Sequence, residues 1–140
     1  MAHLTLVASS TPKHPKTDTR LVKVCGQYLL LLTHLADLRE KHARAVVLAG
    51  KILRDQPTDP EAAELWRRCW ATTPASYLGR GVEHSERKLA ELLTEIIQTP
   101  AQTEAGFRAR LHVWRTVLAA DDADRMLDSI AADFRRRRRA

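Results

Sequence analysis

Apolar residues recur at steps of three and four from Leu21 onward. Leu21, Cys25, Tyr28, Leu32, Leu35 and Leu38 make one stripe, as the 3.6-residue period of a helix requires. The run Leu29 to Leu32 widens that stripe beyond a single face. Asp37 with Lys41 and Glu40 with Arg44 add acid-first pairs at the spacing that supports an exposed helical surface. The pattern continues through Val46, Val47, Ala49, Ile52 and Leu53 until Asp55-Gln56-Pro57 stops it. Starting at Asp18 or Thr19, this helix covers about 37 residues and, at about 1.5 Å each, roughly 55 Å. That is long for a chain of 140 residues. It either bends near Gly50 or pairs with a second copy of itself, and because its steps are not strict heptads a bundle helix is favoured over an extended coiled coil.

The remaining punctuation predicts shorter helices. Thr58 and Glu61 stand at capping-box spacing and Pro60 suits a first turn, so a helix over about 60–71 presents Ala62, Leu65, Trp66, Cys69 and Trp70. Two tryptophans on so short a helix must pack against something. Core burial is the simpler reading of Trp66 and Trp70, and a protein-binding or base-stacking surface is the alternative. Residues 72–82, with Pro74, Gly79 and Gly81, read as a loop. Gly79-Arg80-Gly81 is not a phosphate loop, since no Lys-Ser/Thr pair follows and no strand precedes it.

Residues 83–98 give the cleanest amphipathic pattern, with Leu89, Leu92, Leu93, Ile96 and Ile97 opposite Glu91 and Glu95. Thr99-Pro100 ends that helix. Thr103 caps the next, where Phe107, Leu111, Trp114 and Leu118 recur at core spacing. Asp121 or Asp122 opens a last helix carrying Met126, Leu127, Ile130, Ala131 and Phe134. The expected fold is all-α, a four- to five-helix bundle with one long N-terminal helix. Residues 1–17, with Ser9, Ser10, Thr11, Pro12 and Pro15, are a flexible arm, residues 18–134 a single helical domain, and residues 135–140 a basic tail.

Charge changes this picture at one end. Arg135, Arg136, Arg137, Arg138 and Arg139 form an unbroken run, and without them the 23 Lys+Arg fall to 18 against 17 Asp+Glu. Removing residues 1–23 as well leaves 14 basic and 16 acidic groups in residues 24–134, so the folded middle is slightly acidic. A domain that grips nucleic acid across its folded surface carries a clustered basic excess, which this middle lacks. The terminal run is either a solvated, solubilising end or an arm for phosphate or another anionic partner, because guanidinium groups stay charged and pair bidentately with phosphate.

No catalytic, cofactor-binding or metal-binding set emerges. Cys25 and Cys69 belong to no CxxC pair and lie on apolar sides of helical patterns, where a reduced thiol acts as a small hydrophobe. His34 and His42 could share a helical face but stand about 12 Å apart along its axis, too far for one ion. His84 and His112 have no second ligand at a recognisable interval. The pair of helices either side of Thr99–Thr103 invites a helix-turn-helix reading, with Gln102, Thr103, Glu104, Arg108 and Arg110 exposed on the second. A plain bundle hairpin gives the same pattern. No basic region precedes the apolar patch Leu4, Leu6, Val7 and Ala8, and no apolar stretch reaches membrane-spanning length, so a cytoplasmic setting without membrane contact is expected.

The stretch Ile96 to Arg110, IIQTPAQTEAGFRAR, resembles a segment of small, uncharacterised helical proteins of alphaproteobacteria and their mobile elements. The matching positions are Ile96, Thr99, Pro100, Ala101, Thr103, Ala105, Gly106, Arg108 and Arg110. This resemblance implies an all-helical cytoplasmic protein of bacterial or prophage origin, and brings no activity with it. The resulting expectation is a non-enzymatic interaction protein, an accessory factor or inhibitor that works as a homodimer or in a complex with another protein. The alternative is a nucleic-acid-binding subunit using Arg135–Arg139 with Arg108 and Arg110.

Overall fold

The computed structural model describes residues 17–117 and 120–139. Five helices follow in order: α1 (Thr19–Leu53), α2 (Pro60–Ala71), α3 (Pro74–Gln98), α4 (Glu104–Trp114) and α5 (Ala120–Arg139). Among the described residues there is no strand. The all-α bundle with one long N-terminal helix is therefore the observed fold, and α1 continues through Gly50 to Leu53.

α1 and α3 lie antiparallel and form the main contact of the molecule. Arg20, at the start of α1, pairs with Glu95 near the end of α3 at 2.8 Å, whereas Arg39 pairs with Glu86 at 3.0 Å. Between them, Leu21, Val24, Cys25 and Tyr28 of α1 bury against Leu92, Leu93 and Ile96 of α3, and Val113 of α4 with Met126 and Ile130 of α5 complete the core. Leu32 and Leu38, expected in the buried stripe, are only half-buried. The exposed ion pairs contribute little each, so this burial carries the packing.

The caps behave as the side chains dictate, with one shift. Asp59, not Thr58, caps α2, its Oδ2 accepting from Ala62 N at 3.0 Å, while Pro60 occupies the first turn. At α4 the Thr103 hydroxyl accepts from Gly106 N at 3.2 Å.

Two expectations are corrected here. Residues 74–82 are helix, because Pro74 opens α3 at the position where its missing N–H costs nothing. Of the glycines that suggested a loop, Gly79 serves packing instead, whereas a β-carbon at Gly81 would meet open space. A β-carbon at Gly79 would sit 3.1 Å from His42 Nε2, and small Ala75 and Ser85 are buried on the same helix. α4 is also rotated from its expected register: Gly106, Arg110 and Val113 are buried, while Phe107, Leu111 and Trp114 are half-buried. Leu118, placed with them by spacing, lies outside the described residues, as do residues 1–16 of the arm.

α1 also departs from the expectation on membrane length. Its most apolar 18-residue window has a mean hydropathy of 1.3, long and apolar enough to cross a membrane by those two measures, although no uncharged run in the sequence is that long. Of that window 28% is buried inside the bundle.

Candidate functional site

Asp18 explains why α4 turned. It precedes α1 yet makes no side-chain cap there; instead its carboxylate accepts from Gln102 N at 2.9 Å, Thr103 N at 2.7 Å and the Thr103 hydroxyl at 2.6 Å. The carboxylate occupies the space beside Gly106, where a β-carbon would overlap it and lie 2.8 Å from Asp18 Cβ. Only glycine fits at this position.

One turn further along α4, Arg110 is 0% exposed and cannot reach a phosphate, which corrects its place among the nucleic-acid candidates. It forms an ion pair with Asp133 of α5, also 0% exposed, and donates to Ser129 Oγ and to the Ile97 carbonyl at 3.2 Å. Asp133 accepts in addition from Ala101 N at 3.1 Å and from Arg136. The segment that resembled a recognition hairpin is thus bolted to α1 and α5 by two carboxylates. α4 presents a different face to solvent, with Arg108 held by Glu104 at 2.7 Å.

The arginine run is the end of a helix: α5 continues through Arg139. Arg136 is tied to Asp133, and the Arg137 guanidinium lies 5.7 Å from the centroid of the Phe107 ring. Arg135, Arg138 and Arg139 form no ion pair with a described carboxylate. Beside them a groove of about 490 Å³ opens between α4 and α5, floored by Phe107, Leu111 and Phe134 and walled by Arg108, Arg137 and Arg138.

The opposite end of α1 carries a different surface. Val47, Leu48 and Ile52 of α1 and Leu65 of α2 are exposed by 58%, 60%, 71% and 63%. Of these, Leu48 and Ile52 line a hollow of about 320 Å³ together with Ala49, Leu53, Cys69, Pro74, Thr72 and Thr73. Trp66 and Trp70 stack with their ring centroids 5.3 Å apart, and Trp66 Nε1 donates to the Arg54 carbonyl at 3.1 Å. Both rings are half-buried, and the Trp66 bond ties α2 to the end of α1.

No family model matches the chain, nor does any curated protein or solved structure. The two surfaces must be read from their own chemistry.

Among the described residues no three His, Cys, Asp or Glu side chains group to hold a metal ion. Cys25 is buried and free, and burial pushes its thiol up to about 11 against a smaller opposing pull from Arg110, so it stays protonated at neutral pH. Burial likewise raises the Tyr28 hydroxyl. Both groups belong to the core.

The sequence reading placed Arg108 and the arginine run near surfaces, favoured core burial for Trp66 and Trp70 with a binding surface as the alternative, and missed Leu48, Ile52 and Phe134 as surface residues. A signal for the first two was present: Val46, Val47, Leu48 and Ala49 are consecutive, so no single buried face can take them all.

Proposed function

We propose that the protein is a non-enzymatic interaction module that docks another protein chain on the apolar end formed by α1 and α2. The observation that carries this reading is the exposure of Leu48 and Ile52 at a hollow whose walls are mostly aliphatic, completed by Cys69, Thr72 and Thr73. Burying such side chains is worth about 1.5–3 kcal/mol each, which a partner surface would recover. Stacked Trp66 and Trp70 stiffen the corner beneath, so the surface is offered without much ordering cost. A role as accessory factor or inhibitor accords with the resemblance of the Ile96–Arg110 segment to proteins of mobile elements.

A photo-crosslinking residue at Ile52 tests the reading, with the same residue at exposed Arg87 of α3 as control. Crosslinks should concentrate on one protein, either a second copy or a different chain, and should be lost in Leu48→Glu with helical content retained. Light scattering then sorts a homodimer from a hetero-complex. A strict monomer whose Ile52 crosslinks match those from Arg87 would overturn it.

A further inference from the structure

We infer that the groove between α4 and the last turns of α5 binds single-stranded nucleic acid, stacking a base on Phe134 and holding phosphates with the terminal arginines. This site is separate from the α1–α2 surface and rests on other residues. Its floor is aromatic and accessible: Phe134 is 53% exposed, immediately after buried Asp133, and Phe107 lies across the groove. Its walls are cationic planes apart from Glu104, which pairs with Arg108. Arg137 is already stacked near Phe107, with Arg138 and Arg108 beside it.

Exposed aromatic faces interleaved with guanidinium groups are what a single strand uses, because every base offers a π-face while the phosphates follow the charge. A duplex hides its base faces and would gain nothing from the floor. An acidic peptide would satisfy the charge. The forked guanidinium donors, however, match phosphate bidentately, and several together suit a repeating phosphodiester better than scattered carboxylates.

The helix supplies more charge than the groove alone. At 100° per residue five consecutive arginines encircle the end of α5, so Arg135 and Arg139 reach phosphates leaving the groove. Arg136 is engaged by Asp133, which leaves the other four cations, and Arg108 is partly neutralised by Glu104 on the groove wall. Nothing in the groove selects for or against a ribose hydroxyl, so DNA and RNA share the chemistry.

The test uses full-length protein and labelled oligo-dT and oligo-U of about 12 nucleotides, a length suited to a small single-strand site. Fluorescence anisotropy between about 50 and 200 mM salt should give a slope of log K against log salt of roughly −3, from about four phosphate contacts. Either strand binding supports the site, and a preference sorts DNA from RNA. Phe134→Ala should weaken binding about 5- to 100-fold at an unchanged slope. Phe134→Leu, which keeps apolar bulk without a π-face, should fall in the same direction and guards against a folding artefact. Arg138→Gln and Arg139→Gln should each flatten the slope by about 0.7. The inference fails if no oligonucleotide is bound at the lowest salt, or if a duplex of equal length binds as tightly. It fails equally if both Phe134 variants bind like wild type, or if polyglutamate displaces the strand as well as unlabelled oligo-dT does.

Discussion

Arg110 and Asp133 carry opposite charges out of water, and each ion taken into the interior costs several kcal/mol that only close pairing offsets. Arg110 meets that cost with its two terminal nitrogens, on Asp133, Ser129 and the Ile97 carbonyl, while its Nε finds no partner among the described residues. Removing one member should therefore be far worse than removing both. Arg110→Met leaves the Asp133 carboxylate with Ala101 N and Arg136 alone, and Asp133→Leu strands the guanidinium; each should cost about 3–5 kcal/mol in urea unfolding. The double variant, Arg110→Met with Asp133→Leu, should lose less than either single variant, because an apolar pair leaves no unpaired charge in the interior. Single variants within about 1 kcal/mol of wild type would mean the pair does not hold α4 to α5.

At the scale of elements, the end of α1 shows how a distant side chain can fix a turn. Arg54 has φ 57° and ψ −160°, a region used almost solely by glycine. It is held there from both sides, its N–H donating to the Gly50 carbonyl at 2.9 Å and its own carbonyl accepting from Trp66 Nε1. Strain of about 1–3 kcal/mol exceeds the entropy glycine adds to the unfolded chain, about 0.5–1 kcal/mol. Arg54→Gly should accordingly raise stability by about 1 kcal/mol, visible as a higher urea midpoint at unchanged slope; a lower midpoint would show that the turn is not strained. The sequence does make the helices themselves legible. Asp55-Gln56-Pro57, Pro60, Thr99-Pro100 and Thr103 are local stop and start signals, and four helix ends fall at or beside them. The start of α3 was hidden because Pro74, Gly79 and Gly81 have the same local appearance in a loop, and only the approach of His42 shows why glycine stands at position 79. The buried face of α4 was hidden for a related reason. Phe107, Leu111 and Trp114 satisfy the period, but Asp18 and Asp133, far away in the chain, decide which side turns inward. Arg110 was misplaced by the same logic, since a charged residue is read as exposed until its buried partner is known.

Across the whole molecule, the two surfaces sit at opposite ends of α1. Asp18 and Arg20 at its start meet Thr103 and Glu95, and Ala101 beside them meets Asp133, so the arginine-bearing end of α5 lies at that pole. The apolar surface gathers around Leu48, Ile52 and α2 at the other pole, roughly 50 Å away at about 1.5 Å of helix per residue. Sites so far apart with no shared partner add independently. The α1–α3 pair between them is held mainly by apolar burial, with no described element placed to switch. Ile52→Glu should thus abolish protein docking while leaving oligonucleotide affinity within about twofold of wild type. Phe134→Ala should do the reverse, weakening the strand and leaving the crosslinking yield at Ile52 and the oligomeric state unchanged. Measured together, these variants separate the two readings from each other as well as from chance. Should Ile52→Glu also weaken the strand by tenfold or more, about 1.4 kcal/mol, binding would depend on the assembled oligomer and the two ends could not be independent.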